Sequence, residues 1–207
     1  LIQNWQELDP VVAPSLEDLG KLGELLAKTH LKLAPLTDHL RRQPPLSQQV
    51  KIWHQDLLGS SEEARLAHLY AFFQARFDQI DAEYAGLPQA VLHGDYSWRN
   101  LKRRGDEWAV IDFERLVVDI PWRELGKLWL REVKSTEERQ AFLAGYRKIL
   151  PLQEPSPLLD ACLSFQLAQG IYRYGLKVDD REFRQMADGV IEDVKAWCVT
   201  QGLDMSN

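Results

Sequence analysis

Helical hydrophobic patterns dominate this chain, interrupted by one short strand-like region. Leu16, Leu19, Leu22, Leu25 and Leu26 recur at helical spacing and predict an amphipathic helix from Ser15 to about His30. Ser15 with Asp18 three residues on is an acidic form of the capping box that starts helices. A Pro-rich stretch at 35–46 breaks the pattern, and a second helical region covers roughly 47–58. The third and longest, 61–84, opens with serines and acids and places Leu66, Leu69, Phe72, Phe73, Phe77 and Ile80 at helical intervals. Gly86 and Pro88 close it. Four more helices are predicted over about 122–131, 135–149, 157–175 and 180–200, with a loop at 151–157.

The period changes between these two helical blocks. AVLH at 90–93 is a short apolar run, WAVIDF at 108–113 is a second, and RRGDE at 103–107 reads as the turn of a hairpin. Residues 1–14 are extended and Pro-punctuated, a hinge or linker, or the tail of an edge strand. No internal repeat, low-complexity run or domain boundary is visible. The fold class predicted is mainly α with a small β-hairpin (α+β), forming one body over 15–207.

Composition narrows the function classes. The 207 residues are 45% hydrophobic and 27% charged, with a net charge of −6, which argues against a nucleic-acid partner. An acidic balance suits a cationic small substrate, or simply solubility. No apolar run approaches the ~20 residues that span a bilayer, and no signal peptide is visible, so no membrane partner is expected. Cys162 and Cys198 sit in helical segments with no metal-ligand spacing, which fits reduced thiols and a cytoplasmic location. The seven Trp are scattered and read mostly as core. His30, His39, His54 and His68 are dispersed without ligand spacing. The first residue is Leu1 rather than Met, as in an excised or processed product.

The chemistry lies in HGDYSWRN and IDFE. Asp95, Asn100 five residues on, and Asp112 are spaced as phosphoryl transfer requires. Asp95 is placed to accept a proton from an attacking hydroxyl. Asn100 offers a neutral oxygen and Asp112 an anionic one, a donor pair suited to Mg²⁺. A loop followed by a hairpin would fold the two together. Read singly, Asp95 and Asn100 are turn residues and Asp112 a helix cap. Read jointly, with His93 two before Asp95 and Phe113 directly after Asp112, they form a pattern that chance explains poorly.

These residues resemble the aminoglycoside phosphotransferase and choline kinase superfamily, whose members carry HGDxxxxN and then an IDF or IDW strand. Gly94, where protein kinases carry Arg, points to the small-molecule branch. LGELLAKTH and DIPWRELGKLW are similar to two looser family segments, so the likeness runs from Leu1 to about Trp197. The resemblance implies a protein-kinase-like C-terminal lobe, with catalytic loop 93–100 and metal-binding strand 108–114. It implies Asp95 as catalytic base, Asn100 and Asp112 as nucleotide-side Mg²⁺ ligands, His93 as an orienting residue, and ATP and Mg²⁺ as cofactors. Arg99 is either a solvated charge or a catalytic cation facing the transferring phosphoryl group. Glu114 and Arg115 either support Asp112 or pair with each other.

Departures from the family pattern carry their own expectations. Glu124 replaces the usual Asp before Leu-Ala and still has the reach to brace the loop. Trp98 stands where Gly is common, and packing against C-terminal helices is favoured over a role at the acceptor. Gln166, Gln169, Tyr172 and Arg173 fall on neighbouring helical turns, either as a solvated face or as an acceptor wall. No glycine loop or strand-borne Lys precedes Asp95, and the glycines of LGKLGELL lie in a helix. The chain is therefore expected to be a C-terminal lobe acting with an N-terminal lobe in cis, with self-association through an uncovered surface near 1–12. The function expected is ATP-dependent phosphorylation of a small-molecule hydroxyl. The alternative is a catalytically silent kinase-like binding module.

Overall fold

The structure is a computed structural model and describes residues 9–10, 13–105 and 107–202. It is mainly helical with two small antiparallel sheets. The chain forms two compact units. One comprises residues 1–43 and 88–154, the other 44–87 and 155–207.

In the first unit, α1 (Leu16–Leu33) starts at Ser15 with a reciprocal cap. The Asp18 N–H donates to Ser15 Oγ at 3.1 Å, and the Ser15 N–H donates to Asp18 Oδ2 at 3.3 Å. Such a cap contributes about 1 kcal/mol by satisfying amides that the first turn leaves unpaired. The glycines of LGKLGELL serve helix packing. A Cβ on Gly23 would stand 2.0 Å from the Phe142 carbonyl oxygen of α6 (Thr136–Arg147), and one on Gly145 would stand 1.9 Å from that of Gly20. The two helices thus touch backbone to backbone. Around them Leu19, Leu22, Leu26, Phe142 and Tyr146 meet Leu125 and Leu128 of α5 (Trp122–Arg131) in one buried cluster.

Among the described residues, five short strands belong to this unit. β1 (Asp9–Pro10), β3 (Leu101–Arg104) and β4 (Glu107–Val110) form one sheet; β2 (Ala90–Leu92) and β5 (Val117–Asp119) form the other. This corrects the predicted strand pairing. The hairpin joins β3 to β4, while β2 pairs with β5 in register Leu92↔Val117. Strand β4 ends at Val110, so Asp112 lies beyond it and not within a strand over 108–114. Of the proposed hinge 1–14, residues 1–8, 11 and 12 lie outside the described residues, as does any surface they would form. Asp9 and Pro10 pair with Arg103 and Lys102.

The second unit holds α2 (Leu46–Gln55), α3 (Glu63–Gln74), α4 (Phe77–Gly86), α7 (Pro157–Lys177) and α8 (Arg181–Thr200). Its interior includes Phe73 stacked on Phe165 at 5.2 Å between ring centroids. The predicted helix 61–84 is two helices. Arg76 ends the first by donating to the Phe72 carbonyl at 2.8 Å, with its guanidinium over the Phe72 ring. The apolar spacing continues across this break, so periodicity could not reveal it. Gln166, Gln169 and Tyr172 are buried inside this unit, which corrects the solvated-face reading. Arg173 pairs with Asp56 at 2.5 Å, over the Trp53 ring. Cys162 and Cys198 are buried. No helix among the described residues is long and apolar enough to cross a membrane.

Candidate active site

Two ladders clamp the motif segments. Leu92 pairs with Val117 at one end, and Leu101 pairs with Val110 at the other. Residues 93–100 and 111–116 are the two connections between these closed ends, so they must run side by side. Ile111 ties them together: its N–H donates to the Asn100 carbonyl at 2.9 Å, and its carbonyl lies 2.9 Å from His93 Nε2. His93 is fully buried, and its Nδ1 accepts the Asp95 N–H at 3.3 Å. That acceptor role leaves the ring proton on Nε2, where it reaches the Ile111 carbonyl. Phe113 meets the His93 ring edge-on at 5.0 Å.

Asp95 is 7% exposed, and its carboxylate is in direct contact with the Arg99 guanidinium. Burial alone would raise its pKa. The Arg99 hydrogen bond and the charges of Arg99, Lys127 and Arg115 outweigh burial and hold it below the ordinary 3.8. Asn100 Nδ2 donates to the Asp95 carbonyl at 2.9 Å, which turns the amide oxygen away from that backbone. Asp112 is exposed and adopts φ +66°, a left-handed conformation that costs a non-glycine residue about 1 kcal/mol. Its charge acts on Arg99, raising the guanidinium pKa together with Asp95. The geometry therefore brings Asp95, Arg99 and Asn100 together, with Asp112 on the adjoining segment.

Gly94 and α5 hold the loop from below. Gly94 has φ +80°, and a Cβ there would stand 2.2 Å from the Arg115 carbonyl oxygen. Glu124 Oε1 accepts the N–H groups of Gly94 at 3.0 Å and Tyr96 at 3.3 Å. Burial would raise the Glu124 carboxyl, but His30 and these two N–H donors bring it below the ordinary carboxylate value. His30 Nε2 lies 3.8 Å from Glu124, and His30 Nδ1 lies 2.9 Å from the Tyr146 hydroxyl. The Tyr96 hydroxyl donates to the Leu22 carbonyl at 2.8 Å, linking the loop to α1. Trp98 packs against the cluster formed by α1, α5 and α6. Glu114 is exposed in the turn after Phe113 and forms no ion pair with Arg115.

Two residues near the loop, Lys127 and Glu132, escaped the sequence reading, as did the place of the Arg115 backbone. The backbone of Arg115 supports Gly94. Lys127 Nζ donates to the Gly94 carbonyl at 3.4 Å, and crowding by protein lowers its pKa against the pull of Asp95 and Glu124. Glu132 takes the Trp98 N–H on both oxygens, at 3.0 and 2.9 Å. Lys127 stands one helical turn from Glu124, a usable signal. Glu132 is the helix C-cap, where periodicity carries no information.

Residues 4–158 match the phosphotransferase enzyme family. The chain belongs to that family, and its fold is protein-kinase-like. A choline/ethanolamine kinase family protein from Mesorhizobium loti is 17% identical with a TM-score of 0.58, over 92% of this chain and 66% of that one. The choline kinase LicA from Streptococcus pneumoniae is 14% identical with a TM-score of 0.60, over 92% of this chain and 69% of that one. The GDP complex of wild-type aminoglycoside 2′-phosphotransferase-IIIa is 15% identical with a TM-score of 0.56, over 87% of this chain and 63% of that one. The chain thus spans about two thirds of the length of these structures. A comparison with curated proteins found no significant match.

Proposed function

We propose that the protein transfers the γ-phosphoryl group of ATP to a hydroxyl of a small molecule such as an aminoglycoside, choline, thiamine or a similar amine-bearing alcohol. One observation carries this reading: a buried, ionised Asp95 on a loop that two β-ladders clamp beside Asp112. Family membership supports the reaction class, and the choline and aminoglycoside enzymes among the structural neighbours support a small acceptor. The left-handed backbone of Asp112 adds weight, because strain of this kind collects at functional sites.

Asp95 orients the acceptor hydroxyl and takes its proton late. A carboxylate held this acidic is a weak base, and a loose phosphoryl-transfer transition state asks little more of it than position. Arg99 must release Asp95 when the hydroxyl arrives, and it then faces the phosphoryl oxygens. Asn100 and Asp112 suit Mg²⁺, which takes few protein oxygens and keeps phosphate oxygens and waters in its other positions. Bound there, the ion would supply charge neutralisation to the phosphates. Glu124 and His93 keep the loop in register. The N-terminal lobe in cis is part of this proposal, as the source of further nucleotide contacts.

The test is phosphoryl transfer from γ-labelled ATP by the full-length protein to a panel of hydroxyl-bearing amines, with Asp95→Asn as control. Label transfer that Asp95→Asn abolishes supports the reading. ATP binding without transfer to any acceptor would favour the silent binding module.

A further inference from the structure

Glu132 stands outside every motif of the chain, yet its carboxylate holds the backbone of the catalytic loop directly. Both of its oxygens accept the Trp98 N–H, at 3.0 and 2.9 Å. Glu124, eight residues earlier on α5, accepts the N–H groups of Gly94 and Tyr96. Three alternate amides, 94, 96 and 98, are therefore hung from two carboxylates at the two ends of one helix. At Trp98 the chain enters a single 3-10 turn, with the Asn100 N–H donating to the Ser97 carbonyl at 2.9 Å.

We propose that Glu132 is a positioning residue. Glu124 fixes the Asp95 end of the catalytic loop, and Glu132 fixes the Arg99–Asn100 end. Burial raises the Glu132 carboxyl above its ordinary value, while the Trp98 N–H and the Arg131 charge pull it back down. The catalytic part of this proposal rests on the phosphotransferase reading; the structural part does not.

The test compares Glu132→Ala and Glu132→Gln in the full-length protein by amide hydrogen exchange, melting temperature and steady-state kinetics. Glu132→Ala should speed exchange across 97–100 about tenfold or more and leave α1 and α6 unchanged. It should lower kcat about tenfold or more with the acceptor KM little changed. Glu132→Gln keeps one accepting oxygen and should recover most of both effects, with no loss of melting temperature. Unchanged exchange at 97–100 overturns the proposal. So does a fall in melting temperature with α1 and α6 exchanging faster in step, or a kcat that stays at the wild-type value. If no acceptor is phosphorylated, the exchange data still decide the structural part, and only the function reading fails.

Discussion

At Gly94 the absence of a side chain lets the Arg115 carbonyl lie where a Cβ would be, 2.2 Å away. Gly94→Ala meets both that contact and a φ of +80°, so we expect it to cost about 2–3 kcal/mol in urea unfolding and to abolish activity. Glu124 supports the same loop as a buried anion. Its folded pKa is lowered, so its stabilisation is present above the unfolded value, near 4.5, and is lost as the pH falls through the folded one. Glu124→Gln should therefore cost about 2 kcal/mol at pH 7, and the gap to wild type should close below pH 4.5 in urea titrations over a pH series. A constant gap across that range would contradict the assignment. At this scale the sequence was informative wherever a residue's own type carried the chemistry. Asp95, Asn100 and Asp112 stood out by spacing, and Glu124 stood out as a substituted Asp. Backbone roles left no such mark, and the support that Arg115 gives Gly94 comes from its carbonyl, which every residue type possesses.

Helix α1 shows how an element can be read correctly while its purpose stays hidden. Its amphipathic spacing and cap placed it within a few residues, yet nothing local showed that Gly23 faces α6. A Cβ on Gly23 or Gly145 would fall 2.0 or 1.9 Å from a backbone oxygen of the other helix. Backbone atoms cannot swing aside as side-chain tips do. Gly23→Ala and Gly145→Ala should thus destabilise by about 2–3 kcal/mol, more than the ~1 kcal/mol that alanine gains in helix propensity. Thermal unfolding of each variant checks this, and a raised melting temperature would show that the helices can separate cheaply. The strands were harder to read. Strand β3 (LKRR) lacks the apolar alternation that marks a strand, and β5 (VVD) is three residues long. Their pairing is set by which ends the chain must bring together, which local sequence does not encode.

Over the whole molecule, the two compact units are each built from two separated stretches of chain. A boundary search looks for one linker, and here the chain crosses between units at 43–44, 87–88 and 154–155. That interleaving is why the sequence reads as a single body. All of the candidate catalytic, metal and supporting residues, from His93 to Glu124, belong to the first unit. Within that unit the proposed function divides the labour, with Asp95 serving the acceptor and Asp112 serving the nucleotide through Mg²⁺. The most direct test measures kcat and Mg²⁺–ATP affinity for Asp95→Asn and Asp112→Ala in the full-length protein, with calorimetry repeated in EDTA. Asp95→Asn should lower kcat about 100-fold or more and leave nucleotide affinity within about threefold. Asp112→Ala should weaken Mg²⁺–ATP binding about tenfold or more, a loss that vanishes in EDTA. Equal effects of the two substitutions on nucleotide affinity, or a wild-type kcat in Asp95→Asn, would contradict this division of labour.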